Sequence, residues 1–396
     1  MISHRITRAA VCCALVLALG GASLAPVAAA GDEPVNVGII NSTSGPLGAY
    51  GQEYNEGFAA GLAYATHGPG AVNGHKIVVS YNDDAGDGAK AVATAKDLIG
   101  QGTKIIAGTV WSGIALQMAP LAQENHILYI SGPAAIDGVT GANRNTFRSG
   151  RQTYQDVLSF GTVLGTNLRG KNVLVLAQDS AFGQANVAAA RAVLGAEGAT
   201  VNGLLVPLSA NDFSPFAQKV IDAKPDLLFV AWAGVTGGAL FKSLEDSGAA
   251  DKTKIATGLP QIATYPYFGD EASKIDFISL YVYQCCHNAA NDFMIDYLKK
   301  QGKVPDLFDA DGFVAAEMVV HAVQAGGDQD VNKMIASLQG WKFMAPKGEQ
   351  QIRAADHAML QPMFIVKLVG SGKDAHPVVL RTLTPQTVAP PVHPFH

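Results

Sequence analysis

Few places in this chain combine residue types that could do chemistry. The first is Asn41-Ser42-Thr43-Ser44-Gly45-Pro46-Leu47-Gly48-Ala49-Tyr50-Gly51, which follows the apolar run Val35–Ile40. A hydroxyl- and glycine-rich turn between a buried strand and a helix aims backbone N–H groups beyond the strand end, where a carboxylate can sit. Asp83, Asp84 and Asp87 invite a Ca²⁺ reading. They lack the ligand order and terminal glutamate of a calcium loop, so strand-end turn residues are expected instead. Cys285-Cys286-His287 has metal-ligand types but no second cluster at ligand spacing. Adjacent cysteines rarely bridge each other without strain, so a buried, inert thiol pair is expected there. Asp356-His357 has the types of a catalytic pair, with no G-x-S-x-G nucleophile motif nearby. No P-loop or full G-x-G-x-x-G is present either. The pattern points to capture of a small solute, with no catalytic group, cofactor or metal.

Alternating strands and helices must position these residues. Strands are expected at Val35–Ile40, Lys76–Tyr81, Lys104–Ala107, Ile127–Ser131, Asn172–Ala177, Val201–Val206, Asp226–Trp232 and Phe277–Tyr283. Most are continuous apolar runs, as strands buried on both faces require. Tyr54, Phe58 and Leu62 recur at helical spacing between them, as do Val92, Ala95 and Ile99. The order restarts near Lys171, where Asn172–Leu176 leads into Asp179-Ser180-Ala181-Phe182-Gly183 and another helix. Two lobes of βα construction follow, an α/β fold. Ligands of open parallel sheets bind beyond the carboxyl ends of the strands, so two such edges facing each other form a cleft.

The ends and the composition bound the setting. Arg5 and Arg8, the apolar run Ala9–Leu19 and Ala28-Ala29-Ala30 read as an export signal, cleaved near Ala30. Cys12 and Cys13 lie too early in it for a lipid anchor. The run is too short for a permanent membrane helix, and no later stretch is long enough. What remains exceeds one typical core, so two domains are expected. A net charge of −5 with scattered Lys and Arg argues against nucleic acid. The Pro-rich segment from Pro385 to His396 is expected to be a loose tail.

Ordered landmarks then carry a resemblance. They are Ser44-Gly45-Pro46 to Gly51, Asn73-Gly74-His75-Lys76, Asp83-Asp84, Gly108-Thr109-Val110-Trp111-Ser112-Gly113, Ile130-Ser131-Gly132, Phe147-Arg148, Phe182-Gly183, Asp212-Phe213-Ser214 and Lys224-Pro225-Asp226. From Val35 to Leu368 the chain resembles the periplasmic leucine/isoleucine/valine-binding proteins, type I solute receptors of ABC importers. The resemblance implies two Rossmann-like (flavodoxin-like) lobes with parallel sheets joined by a three-strand hinge. Lobe one is then 31–151 plus 284–344, lobe two 152–283 plus 345–385, and 386–396 a tail.

The resemblance also implies site residues. Ser112 matches a serine that binds the ligand carboxylate through its hydroxyl and amide, and a helix N-cap serine is the competing reading. Tyr50 matches a tyrosine lying against the ligand, and Phe182 stands where a tyrosine is common. Trp232 ends a strand facing the cleft, with core packing as the alternative. Trp111 stands where some members carry half of a disulfide, its partner position near Gly86 also not being cysteine. Ala135 stands where a second hydroxyl for the carboxylate is usual, and the segment with Ala134 leaves only backbone groups to the ligand. Gly258-Leu259-Pro260-Gln261 lacks the acid that pairs with a ligand ammonium, leaving Gln261 there and Asp311 as the nearest replacement. These departures tilt the pocket toward a small hydrophobic or aromatic carboxylate or amide, with a branched-chain amino acid kept open. The implied protein is a periplasmic monomer that delivers this organic solute to the membrane permease of an ABC transporter. A ligand-sensing receptor and a secreted α/β hydrolase are the alternatives.

Overall fold

The computed structural model describes Met1, residues 33–164 and residues 167–395, with backbone alone at 267 and 269–271. The expected export signal and its two cysteines lie outside the described residues.

The first sheet contains β1 (Val35–Asn41), β2 (Ala71–Val72), β3 (His75–Asp83), β4 (Ile105–Ala107), β5 (Leu128–Ser131) and β6 (Thr146–Arg148), in the order β2-β3-β1-β4-β5-β6. All pairings are parallel except that of β2 with β3. β1 is buried at every position except Asn36, which is what its Val and Ile content requires of a central strand. Helices α1 (Gly48–Ala65), α2 (Gly88–Gly100) and α3 (Ser112–Glu124) cross between these strands.

After α4 (Thr153–Leu164), the second sheet is built from β7 (Asn172–Gln178), β8 (Thr200–Val206), β9 (Leu227–Ala231), β10 (Lys254–Gly258) and β11 (Ile275–Ser279). Between these strands run α5 (Ala181–Val193), α6 (Ser214–Ala223), α7 (Gly237–Asp246) and the short α8 (Ala249–Lys252). The eight expected strands are all present, although the last ends at Ser279 and leaves Leu280–Tyr283 as a crossover.

The chain then returns to the first lobe as α9 (Ala289–Lys299), α10 (Asp309–Gly326) and α11 (Val331–Leu338). α10 is buried from Asp309 to Val320, with apolar residues on every side, as a helix enclosed by its neighbours must be. It meets α1 backbone to backbone. A Cβ on Gly57 would lie 1.9 Å from the Asp309 carbonyl oxygen, and one on Gly312 would lie 2.0 Å from that of Tyr54. Only glycine permits that approach.

A small antiparallel sheet follows, with β12 (Lys342–Ala345), β13 (Gly348–Ile352) and β14 (Met359–Leu360). It packs on α9 and α10. The chain rejoins the second sheet at β15 (Met363–Val369), later than the expected boundary at 344, and β15 pairs antiparallel with β11 and β16 (His376–Leu383).

Two expectations need correction. The segment after Pro385 is docked, not loose: Val388 is fully buried, Arg353 donates to the Pro390 and Pro391 carbonyls, and the His393 amide donates to Asp356 at 3.0 Å. Asp356 is thus the partner of Arg353 and of the tail, and His357 is stacked on Phe147 with ring centroids 3.7 Å apart. Cys285 and Cys286 are not a thiol pair, since they are bonded to each other in the half-buried second crossover.

Candidate functional site

The carboxyl ends of the two sheets face each other across a cleft of about 640 Å³. From the first lobe come the loop before α1 with Tyr50, the first turn of α3 with Trp111, Ser112 and Gly113, the β5 loop with Pro133 and Ala135, and Leu307 and Phe308. The second lobe contributes Phe182 and Asn186 on α5, the strand end and loop from Phe229 to Ala239 with Trp232, and Thr257 to Gln261 after β10.

Tyr50 reaches across the opening. Its hydroxyl accepts the Gly234 N–H at 3.0 Å, and its ring rests 4.6 Å from that of Phe308. Burial pushes the phenol up to about 12, partly offset by that amide bond, so it stays neutral. Gly234 has a φ of +81° and lies so near Pro46 that a Cβ would come 2.6 Å from its carbonyl oxygen.

Ser112 is the first residue of α3, while Trp111 holds the cap position and makes no side-chain cap bond. The N-cap reading of Ser112 therefore does not apply. First-turn amides have no partner within their helix and carry the positive end of its dipole, so this turn can receive an anion. Trp111 lies over Gly86, where a Cβ would be 2.8 Å from the indole nitrogen, and the glycine makes room for the ring. Trp232 serves both readings given above: it lines the cleft, meets Phe213 edge-on and donates through Nε1 to Thr236 at 3.0 Å.

Ala134 and Asp311 lie elsewhere. Ala134 packs behind the cleft wall with Ala115 and Val139. Asp311 is sealed on α10, where Lys347 pairs with it at 3.3 Å, so it does not stand in the cleft as an ammonium partner. Gln261 lines the rim, but its amide donates to Glu53 of α1, a contact between the lobes. Beside it the Ile262 N–H donates to Asp306 at 2.8 Å.

The hydroxyl-rich turn at Ser42–Ser44 holds an anion that belongs to the chain itself. Burial alone would raise the Asp83 carboxyl, but it accepts from the Ser44 hydroxyl at 2.6 Å and from the Thr43 and Ala85 amides at 2.9 Å, and these bonds hold it down at about 2. Asp84 accepts from Ser42 and Thr109, and Asp87 caps α2. Among the described residues no group of acids, histidines or cysteines has the arrangement of a metal site.

One pair escaped the sequence reading. Arg151 and Asp156 are the only charged side chains lining the cleft among the described residues. They are bonded Nε to Oδ1 at 3.3 Å, and their side chains are 12% and 10% exposed. Arg151 lies three residues after the Phe147-Arg148 landmark, and Arg148 holds its carbonyl at 2.6 Å.

Two lobes with a cleft at facing strand ends, joined by three crossovers, have the arrangement in which a small molecule can be held between them. The chain belongs to the periplasmic binding protein family, whose sequence model matches residues 34–374. A solved structure from Rhodopseudomonas palustris CGA009, described as an ABC-type branched-chain amino acid transporter, is 32% identical with a TM-score of 0.75, covering 91% of this chain and all of that one. A curated relative, Leu/Ile/Val-binding protein homolog 3 of Brucella melitensis biotype 1, is 25% identical over 305 residues, 76% of this chain and 82% of its own length. A solute-binding protein of an R. palustris ABC transporter, solved with 4-hydroxybenzoate, shares the fold with a TM-score of 0.80 at 24% identity, over 89% of this chain and 97% of that one. The protein is thus a type I periplasmic binding protein.

Proposed function

We propose that the cleft captures a small hydrophobic or aromatic carboxylate, amide or branched-chain amino acid outside the cytoplasm. The lobes close over it, and the loaded monomer delivers it to the permease of an ABC importer, with no chemical change to the solute. The observation that carries this reading is the composition of the cleft. Tyr50, Trp111, Phe182, Trp232, Leu307 and Phe308 supply apolar walls, while the first turn of α3 at Ser112 supplies an anion-ready end. The description of the 32% identical structure as a branched-chain amino acid transporter and the names of the Leu/Ile/Val-binding relatives point to the same size of ligand.

The experiment is a thermal-shift screen of the protein starting at Gly31 against amino acids, aromatic acids, amides and short-chain acids. Ligand at a hundredfold excess over its Kd stabilises the closed protein by about 2.7 kcal/mol, a rise of several degrees in Tm. Ser112→Ala removes most of the shift given by the best acid. No shift across the panel, or an unchanged shift in Ser112→Ala, contradicts the reading or its anion end respectively.

A further inference from the structure

We infer that Arg151 is a specificity-determining carboxylate contact of the cleft, acting beside the α3 turn at Ser112 and held in place by Asp156 and by the Pro133 carbonyl. The cleft therefore takes an anionic acid in preference to the corresponding amide. This rests on the cleft being the solute site.

The argument begins with charge. Among the described residues every other side chain lining the cleft is neutral, so beside the amides of the α3 turn Arg151 and Asp156 are the only charged side chains that can distinguish an ion from its neutral analogue. Guanidinium carries five N–H groups in a planar fork that matches a carboxylate edge. Here Nε donates to Asp156 and Nη1 to the Pro133 carbonyl at 2.9 Å. These two bonds leave the fork with donors to spare on a side chain that borders the cleft.

Its placement also fits an anchor. The Arg151 backbone is pinned by Arg148, and the side chain is tied at both ends, so little rotamer entropy remains to be lost on binding. Pro133 follows β5 of the first lobe, while Asp156 sits on α4, which packs on α5, β11 and β15 of the second. The guanidinium thus bridges the lobes at their first crossover, and an anion bound there is held by both. Burial pushes the Asp156 carboxyl up, against the opposing pull of Arg151. Asp156 is a positioning residue: it orients the fork and does not meet the ligand carboxylate.

The test is calorimetry of the protein starting at Gly31 with L-leucine, L-phenylalanine and 4-hydroxybenzoate, each beside its primary amide. In the wild type the acid that binds best is expected to exceed its amide by about 100-fold. Arg151→Gln is expected to lower that acid's affinity by about 100-fold and to bring acid and amide together, while Arg151→Lys restores part of the preference. Asp156→Ala weakens the acid, and Asp156→Asn, which still accepts from Nε, recovers most of the loss. An acid bound as well by Arg151→Gln as by wild type, or a wild type blind to the acid–amide difference, overturns the anchor while the solute reading stands. Wild-type protein that binds none of the six compounds overturns both.

Discussion

The Tyr50 hydroxyl on α1 accepts a 3.0 Å hydrogen bond from the Gly234 amide of the opposite lobe. The contact exists only while the lobes face each other closely, so its energy belongs to the closed state alone. Tyr50→Phe deletes the acceptor and strands a part-buried N–H, costing about 1 kcal/mol or slightly more of closure. Calorimetry is expected to show roughly five- to tenfold weaker ligand binding, with the Tm of the ligand-free protein little changed.

Gly234→Ala acts on the same contact by obstruction. A Cβ there meets the Pro46 carbonyl oxygen at 2.6 Å and Leu47 at 2.8 Å, and φ of +81° is unfavourable to alanine. Ligand binding is expected to fall further than in Tyr50→Phe. Equal affinities of Gly234→Ala and wild type would show that the lobes need not approach this closely.

Closure also carries a pH dependence. Glu53, Asp306 and Asp309 cluster where Gln261 and Ile262 of the second lobe cover them, with Tyr50, Tyr265 and the Glu56–Lys303 pair alongside. Burial pushes Asp306 up to about 6 against the opposing amide bonds of Ile262 and Leu307. Burial first, then neighbouring carboxylates, holds Glu53 well above its ordinary range, and Asp309 is raised the same way. Opening returns Glu53 and Asp306, which the second lobe covers, toward an ordinary value of about 4. The closed form then binds more protons than the open one, so the favourable term is complete below about pH 4 and is lost as pH rises through 6. Leucine does not titrate between pH 5 and 7.5, and its affinity is expected to be higher at pH 5, with Glu53→Gln flattening the profile. An affinity that rises with pH would contradict the assignment.

The buried Lys347–Asp311 pair ties the small sheet to α10. Burial pushes Asp311 up and Lys347 down, each opposed by its partner. Lys347→Met leaves an uncompensated acid and is expected to cost about 3–5 kcal/mol in chemical denaturation. Adding Asp311→Leu should return much of that loss, because the desolvation penalty leaves with the charge.

The bonded pair Cys285–Cys286 makes a simple chemical prediction. A protein starting at Gly31 should show no free thiol under denaturing conditions, and two after reduction by a dithiol. Two free thiols before reduction would restore the expectation drawn from the adjacent cysteines.

Much of this architecture was legible because buried strands advertise themselves. Val35–Ile40 and Asn172–Ala177 are apolar runs that no surface element would carry, and each leads to a helix at a glycine turn. Tyr50, Ser112 and Phe182 were marked by the resemblance to the leucine/isoleucine/valine-binding proteins, and Trp232 by its place at a strand end. Arg151 was not legible, because its role depends on Pro133 and Asp156, and a single arginine in a loop has no periodicity. Asp311 misled because α10 is buried on all sides, so residue type could not tell which face met the cleft. The tail misled for a related reason: prolines suggested looseness, while their carbonyls are what Arg353 binds.

Small-angle X-ray scattering with and without the acid that gives the largest thermal shift tests the central claim most directly. Capture by closure predicts a smaller radius of gyration at saturation, a change absent in Gly234→Ala. A tightly bound ligand that leaves the wild-type radius unchanged would contradict it.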